Sequence, residues 1–265
     1  MTAVRVIVHG AMGKMGREIL ATFSRTAEFE PVGAVDIDPG PDTLPLPDGK
    51  KPVPYATSLK DLLSRCKADV VVDFSNAPAC RALAPVAAAS GLNLVIGTTG
   101  LNDNDLKMLE ELSHRYQVGI FAAPNFALGA VVLNHLVHVA ARFFDYAEIF
   151  EAHHEAKIDA PSGTALGLAR AIASEKKFTR LTPEVEPVPG TRGGEYNGVS
   201  IHSTRMPGRL AHHEVLFGIT GQTLSLRHDT LSRDCYMPGI ILAAREVAKQ
   251  RGHLVVGLDK LLGIS

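Results

Sequence analysis

Apolar and polar positions alternate along this chain in two rhythms, and the change between them falls near residue 125. Residues 3–10, AVRVIVHG, form a β-branched run ending in glycine, which predicts a buried parallel strand. Residues 13–25, GKMGREILATFSR, follow with apolar side chains at helical spacing. EPVGAVDID (30–38) reads as a second strand ending in acids, and SLKDLLSRC (58–66) as a helix capped by Ser58. The strand ADVVVDFS (68–75) precedes the helix PACRALAPVAAASG (78–91), which Gly91 ends. Strand NLVIGTTG (93–100), helix NDNDLKMLEELSHRY (102–116) and strand VGIFAAPN (118–125) complete the series. Strand and helix thus alternate with short loops, the order of an α/β doubly wound (Rossmann-type) parallel sheet, which binds ligands at the carboxyl ends of its strands.

Beyond Asn125 the pattern changes. A long helix, GAVVLNHLVHVAARFF (129–144), leads to strand AEIFEAHH (147–154) and helix TALGLARAIASEKK (164–177). Three alternating runs follow, at 198–206, 211–219 and 222–230. This segregation predicts a second α+β domain with a mixed or antiparallel sheet. The last helix, 237–250, has Pro238 in its first turn and is expected to pack back on the first domain. The expected division is 1–125 plus 237–265 for the first domain and 126–236 for the second. The turn-rich stretch PGPDTLPLPDGKKPVP (39–54) reads as a mobile connector.

Composition narrows the function. The 265 residues are 46% hydrophobic and 21% charged with a formal net charge of −1, so no global basic field argues for nucleic acid or an anionic membrane. An anionic ligand must therefore be held by local groups. Cys66, Cys80 and Cys235 form no CxxC pair, as expected of reduced thiols in a cytoplasmic protein. His153–His154 and His212–His213 lack the i, i+4 spacing of a helical zinc motif, so no metal site is expected. The N-terminal apolar run breaks at Gly10 and does not read as a signal peptide, and no apolar stretch reaches the roughly 20 residues of a membrane helix.

Against that background GAMGKMG (10–16) stands between the first strand and the first helix. Glycine there lets the backbone pass close to a pyrophosphate, whose charge a helix N-terminus stabilises. Asp36, about 20 residues beyond the loop, is placed to bind a ribose hydroxyl pair. GTTG (97–100) and APNF (123–126) lie at two further strand ends. Together they point to dinucleotide binding; a purely structural turn is the alternative at each.

EAHHEAKIDAPSGTA (151–165) concentrates the remaining chemistry. Ser162 is a candidate helix cap, which leaves the Gly163 and Thr164 amides as free first-turn donors for a carboxylate. Lys157 adds a positive charge, and His153 or His154 titrates closest to neutrality. The combination favours an anion site with a proton donor over the alternative, an exposed loop with structural histidines that ends in a helix cap.

These motifs resemble those of the dihydrodipicolinate reductase (4-hydroxy-tetrahydrodipicolinate reductase) family of the diaminopimelate and lysine pathway. The resemblance spans essentially the whole chain, through VHGAMGKMGREI, DFSNA (73–77), GTTG, APNFALG (123–129) and above all EAHHEAKIDAPSGTAL (151–166). It implies His153 and Lys157 as catalytic residues, with His154, Ser162, Gly163 and Thr164 at the substrate. It also implies a nucleotide site of Gly10, Ala11, Met12, Gly13, Lys14, Met15, Asp36, Gly97, Thr98, Thr99, Ala123, Pro124, Asn125, Phe126 and Arg233. The implied substrate is a cyclic dicarboxylate, the cofactor NADH or NADPH, and the assembly a homotetramer built through the second domain. Many family members carry an arginine after the ribose-binding acid; here Ile37 and Asp38 follow Asp36, so NADH is expected to serve at least as well as NADPH. The alternatives are a dehydrogenase of a sugar, alcohol or semialdehyde with the same two-domain plan, and a non-catalytic nucleotide-sensing module.

Overall fold

The computed structural model describes residues 3–264 apart from Asp48 and Lys50. The chain opens with β1 (Val4–His9), α1 (Lys14–Arg25), β2 (Phe29–Val35), β3 (Thr43–Leu44), β4 (Val53–Ala56) and α2 (Leu59–Leu63). It continues through β5 (Val70–Asp73), α3 (Ala77–Ala89), β6 (Asn93–Ile96), α4 (Asp103–Tyr116) and β7 (Ile120–Ala122). The second half contains α5 (Leu128–Ala141), β8 (Tyr146–His153), α6 (Gly163–Glu175), β9 (Gly194–Tyr196), β10 (Val199–Arg205), β11 (Ala211–Ile219) and β12 (Gln222–Thr230). A 3₁₀ turn then leads into α7 (Met237–Glu246), β13 (Leu254–Val256) and α8 (Leu258–Leu262). Contacts divide this chain into Met1–Leu128 with Tyr236–Gly263, and Gly129–Cys235. No helix among the described residues is long and apolar enough to cross a membrane.

In the first unit the described strands form one sheet in the order β13-β7-β6-β5-β1-β2-β4-β3. All neighbours are parallel except β3, which runs antiparallel to β4. The chain runs outward from β1 to β2 on one side and from β5 to β6 and β7 on the other, so strand order reverses between β1 and β5. Val71, Leu94 and Ile120 pack against Leu83 and Ala84 of α3 and Leu109 of α4 in one apolar core. Local chemistry sets the helix ends: Ser58 accepts the Asp61 amide, Asn76 accepts the Ala79 amide, and Asn102 forms a capping box with Asp105.

Two stretches carry strands that the sequence pattern does not show. The connector 39–54 carries β3 and leads into β4, which pairs with β2, although Asp48 and Lys50 of that stretch lie outside the described residues. A two-residue strand is too short to show a period. The final helix stops at Glu246, is followed by a 3₁₀ turn, and gives way to β13 at the sheet edge.

In the second unit the order is β12-β11-β8-β10-β9, with β10 parallel to β8 and the other pairs antiparallel. Along β8, Ala147, Ile149, Glu151 and His153 are buried on one face. Ala147 and Ile149 pack with α5 and α6 residues such as Leu133, Val137, Leu168 and Ile172. The core therefore gives way to charged and titratable side chains at the carboxyl end of the strand.

Candidate active site

The glycine loop is dictated partly by packing. Gly10 has φ +78°, and a Cβ there would lie 2.5 Å from the Phe74 carbonyl oxygen. A Cβ at Gly16 would fall 2.1 Å from the Gly10 carbonyl oxygen, so α1 can pack on β1 only without a side chain. Gly13 differs, because its Cβ would meet only the Gly10 carbonyl at 3.2 Å. Gly13 caps α1 with no side-chain hydrogen bond, so the first-turn amides remain for an anion. Asp36 Oδ2 accepts the Met12 amide at 2.8 Å and Oδ1 accepts the Ile37 amide at 2.7 Å, which pins the acid beside the loop. Ala11 is buried, Met15 half-buried and Lys14 exposed. An uncapped helix start, an open glycine backbone and a fixed acid meet where the strand order reverses, and this arrangement fits a dinucleotide.

The other nucleotide candidates divide by what their side chains do. A Cβ on Gly97 would fall 2.1 Å from the Phe74 ring, which itself packs on Phe126 with centroids 5.4 Å apart. The Thr98 hydroxyl donates to Asp73 Oδ2 at 2.8 Å and accepts the Ser75 amide at 2.9 Å. Asp73, fully buried, also meets the Ser75 hydroxyl and His9 Nδ1, each at 2.6 Å. Burial alone would raise Asp73, but bonds from His9, Ser75 and Thr98 outweigh it and hold the carboxyl below its ordinary value. Thr98 and Phe126 thus spend their side chains on the frame, leaving backbone for a ligand. Ala123 is also buried, whereas Thr99 and Pro124 are exposed; Asn125, half-buried, accepts the Ala127 amide. Arg233 is exposed in the 3₁₀ turn that closes the second unit.

In the second unit β8 ends at His153, so His153 is buried while His154, one residue on, is exposed. Ser162 caps α6 by accepting the Ala165 amide at 3.2 Å, and its hydroxyl also meets His213 Nε2 at 3.1 Å. The Gly163 and Thr164 amides are then first-turn donors of α6. Around Gly163 a Cβ would meet nothing within 4 Å, so the helix start opens into free space. The half-buried Lys157 Nζ lies 2.7 Å from Asp159 Oδ1.

Glu151, which the sequence reading passed over, lies beneath these groups. Its fully buried carboxylate is 2.5 Å from His153 Nδ1, accepts two bonds of 2.9 Å from Arg205, and accepts the Ser162 amide at 3.2 Å. Burial would raise its pKa, but hydrogen bonds led by Arg205 and Ser203 bring it down to about 2. His153 is pushed below its ordinary value by burial first; the Glu151 bond opposes this, and the Lys157 and Arg205 charges add to it. A neutral imidazole beside an acceptor-only carboxylate carries its hydrogen on Nδ1, leaving the Nε2 lone pair free. His213, whose ring packs edge-on to His153 at 5.2 Å, is pushed by burial and by its histidine neighbour down to about 4. The i, i+2 spacing of Glu151 and His153 was a readable signal for their shared face; Arg205 and His213 come together with them only through sheet register.

Family models match both halves of this arrangement: "Dihydrodipicolinate reductase, N-terminus" over residues 4–126 and "Dihydrodipicolinate reductase, C-terminus" over residues 129–262. The chain belongs to the dihydrodipicolinate reductase family. Among its relatives is the 4-hydroxy-tetrahydrodipicolinate reductase of a Dehalococcoides mccartyi strain, 48% identical over 99% of each chain. The enzyme of the same name from Moorella thermoacetica is 43% identical over 99% of each chain. A solved dipicolinate-bound dihydrodipicolinate reductase from Paenisporosarcina sp. TG-14 superposes with a TM-score of 0.86 at 34% identity, covering 98% of this chain and 99% of that one. D-galactose-1-dehydrogenase from Rhizobium etli has a TM-score of 0.60 at 13% identity, covering 100% of this chain and 94% of that one, a likeness of fold alone. Family membership makes this chain an oxidoreductase with a nucleotide-binding first domain.

Proposed function

We infer that the protein reduces 4-hydroxy-tetrahydrodipicolinate to tetrahydrodipicolinate in diaminopimelate and lysine biosynthesis, using a nicotinamide dinucleotide. The observation that carries this reading is the joining of a buried, oriented imidazole, a lysine and an open helix start in residues 151–164, in a chain of this family. When bound, the reduced nicotinamide supplies a hydride. The glycine loop and the first-turn amides of α1 would hold its pyrophosphate, and Asp36 its ribose hydroxyls.

The chain's own residues account for the rest. The Gly163 and Thr164 amides bind one ring carboxylate, and Lys157 adds the positive charge that an anion needs. Gly163 is suited to this because it brings no side chain between ligand and backbone. Two proton movements are required. One proton leaves the carbon beside the hydroxyl-bearing carbon as water is lost, and one returns to it after the ring is reduced. The free Nε2 of His153 suits the first, and the Lys157 ammonium suits the second.

The tetramer implied by the family resemblance is proposed through the open face of the second sheet. Tyr146 and Phe150 lie exposed there, and Phe150 stacks on His202 with centroids 4.7 Å apart. The cytoplasm is the proposed location, on the three unpaired cysteines.

The test is turnover with enzymatically made 4-hydroxy-tetrahydrodipicolinate. Consumption of NADH or NADPH that depends on this compound supports the reading. A purified, folded protein that binds the dinucleotide without turning over would return the nucleotide-sensing alternative.

A further inference from the structure

Glu151 and Arg205 form an ion pair whose carboxylate is wholly out of water and whose arginine is half-buried, with side-chain exposures of 0% and 18%. Taking such charges from water offsets most of their attraction, so the pair is a poor source of stability. Its contacts suggest a different use. Glu151 Oε2 meets His153 Nδ1 at 2.5 Å, while Oε1 accepts the Ser162 amide at the start of α6. Arg205 Nη2 donates to the Asp159 carbonyl at 2.5 Å, and the Asp159 carboxylate in turn pairs with Lys157. One buried pair therefore touches the imidazole, the carboxylate-binding helix start and the turn that carries the lysine.

Strand geometry produces this convergence. Residues 151 and 153 share a face of β8, and parallel pairing sets Arg205 of β10 directly opposite His153. The guanidinium fork then reaches both carboxylate oxygens of Glu151.

We propose that Glu151 and Arg205 are positioning residues: Glu151 fixes the His153 imidazole with its hydrogen on Nδ1 and Nε2 free toward the substrate, and Arg205 fixes the turn bearing Lys157. This rests on the reading of residues 153–164 as the substrate site. Substitution Glu151→Gln tests it sharply. The Oε1 position faces two obligate donors, Arg205 Nη2 and the Ser162 amide. The Oε2 position faces Arg205 Nη1 and an imidazole that can change tautomer, so the amide oxygen takes the Oε1 position and the amide NH₂ faces His153. The imidazole must then accept at Nδ1 and carry its hydrogen on Nε2. A carboxylate that sets a catalytic imidazole's tautomer contributes up to about 10⁴-fold to turnover.

The experiment combines steady-state kinetics with ¹⁵N NMR of histidine-labelled full-length protein, the His153 signals being assigned by their loss in His153→Ala. The expected result is an Nδ1-protonated His153 in the parent and an Nε2-protonated one in Glu151→Gln. Glu151→Gln should also lose about 10²-fold or more in kcat with the KM for NADH unchanged, and Glu151→Asp, still an acceptor-only carboxylate, should recover at least tenfold. An Nε2-protonated His153 in the parent overturns the proposal, and so does a Glu151→Gln enzyme within threefold of the parent. If Glu151→Gln does not fold, the parent spectrum alone decides. A fully active His153→Ala would instead overturn the site reading itself, whereas an inactive His153→Ala beside an active Glu151→Gln overturns only the positioning role.

Discussion

The Met12 amide donates to Asp36 Oδ2 at 2.8 Å and ties the acid at the end of β2 to the glycine loop. The loop after Asp36 is held as well, since the buried Tyr55 donates its hydroxyl to the Asp38 carbonyl. The Asp36 carboxylate, held by two amides, is poorly able to swing aside for a 2′-phosphate, and the exposed Asp38 two residues on adds negative charge on a backbone held near it. Lys14 is exposed, and an exposed charge contact contributes about 1 kcal/mol or less, screened by salt. NADH should therefore give a kcat/KM at least equal to that with NADPH, and any NADPH use should weaken as salt rises. Kinetics with both cofactors at low and high ionic strength check this; a tenfold NADPH preference that survives salt contradicts it.

The two groups assigned to proton movement make a second prediction. His153→Ala and Lys157→Ala should each lower kcat by about 10²–10⁴-fold, with little change in nucleotide affinity. Lys157→Arg should not restore activity, because a guanidinium does not readily release a proton. Turnover and NADH binding, measured on the same folded variants, separate these effects.

Gly163 offers a cleaner separation of folding from binding. Its Cβ would meet nothing within 4 Å in the protein, so Gly163→Val should leave the fold intact. It should nevertheless raise the substrate KM by tenfold or more by keeping the ligand off the first-turn amides. Thr164→Val, which retains its amide, should raise KM only mildly. Equal, unchanged KM values in both variants would make the start of α6 purely structural.

Acid stability follows from the buried histidine. His213 has a folded pKa of about 4 against an ordinary 6.5, lowered chiefly by burial. The unfolded chain therefore takes up this proton more readily, and stability falls as pH drops below about 6.5, levelling near pH 4. At pH 5 the loss is about 2 kcal/mol, or roughly 4–8 °C in Tm. Glu151 starts ionised where His213 starts neutral, yet the direction of the effect is the same. Its folded pKa is about 2, so stability present above its ordinary 4.5 is lost as pH falls toward 2. Thermal unfolding across pH should show the upper limb flattened in His213→Gln and the lower limb retained.

What the sequence revealed of all this was whatever lies within one short run. The strand–helix alternation to Asn125, the caps at Ser58 and Ser162, and the glycine loop are each local patterns, and the structure reproduces them. β3, β9 and β13 are two or three residues long and show no usable period. The Glu151–Arg205 pair spans 54 positions, and only the pairing of β8 with β10 brings it together. Thr98 and Phe126 sit in motifs that suggest ligand contact, yet Asp73 and the Phe74 ring occupy their side chains. A motif records which residues gather at a strand end; burial decides whether each faces the ligand or the frame.

The most direct test of the substrate site is a crystal structure of the protein with NADH and pyridine-2,6-dicarboxylate, a planar relative of the proposed substrate. The ring should lie beside residues 153–164, with one carboxylate on the Gly163 and Thr164 amides and Lys157 within ion-pair distance. A ring bound elsewhere, with the start of α6 and Lys157 untouched, would contradict the assignment of this stretch as the substrate site.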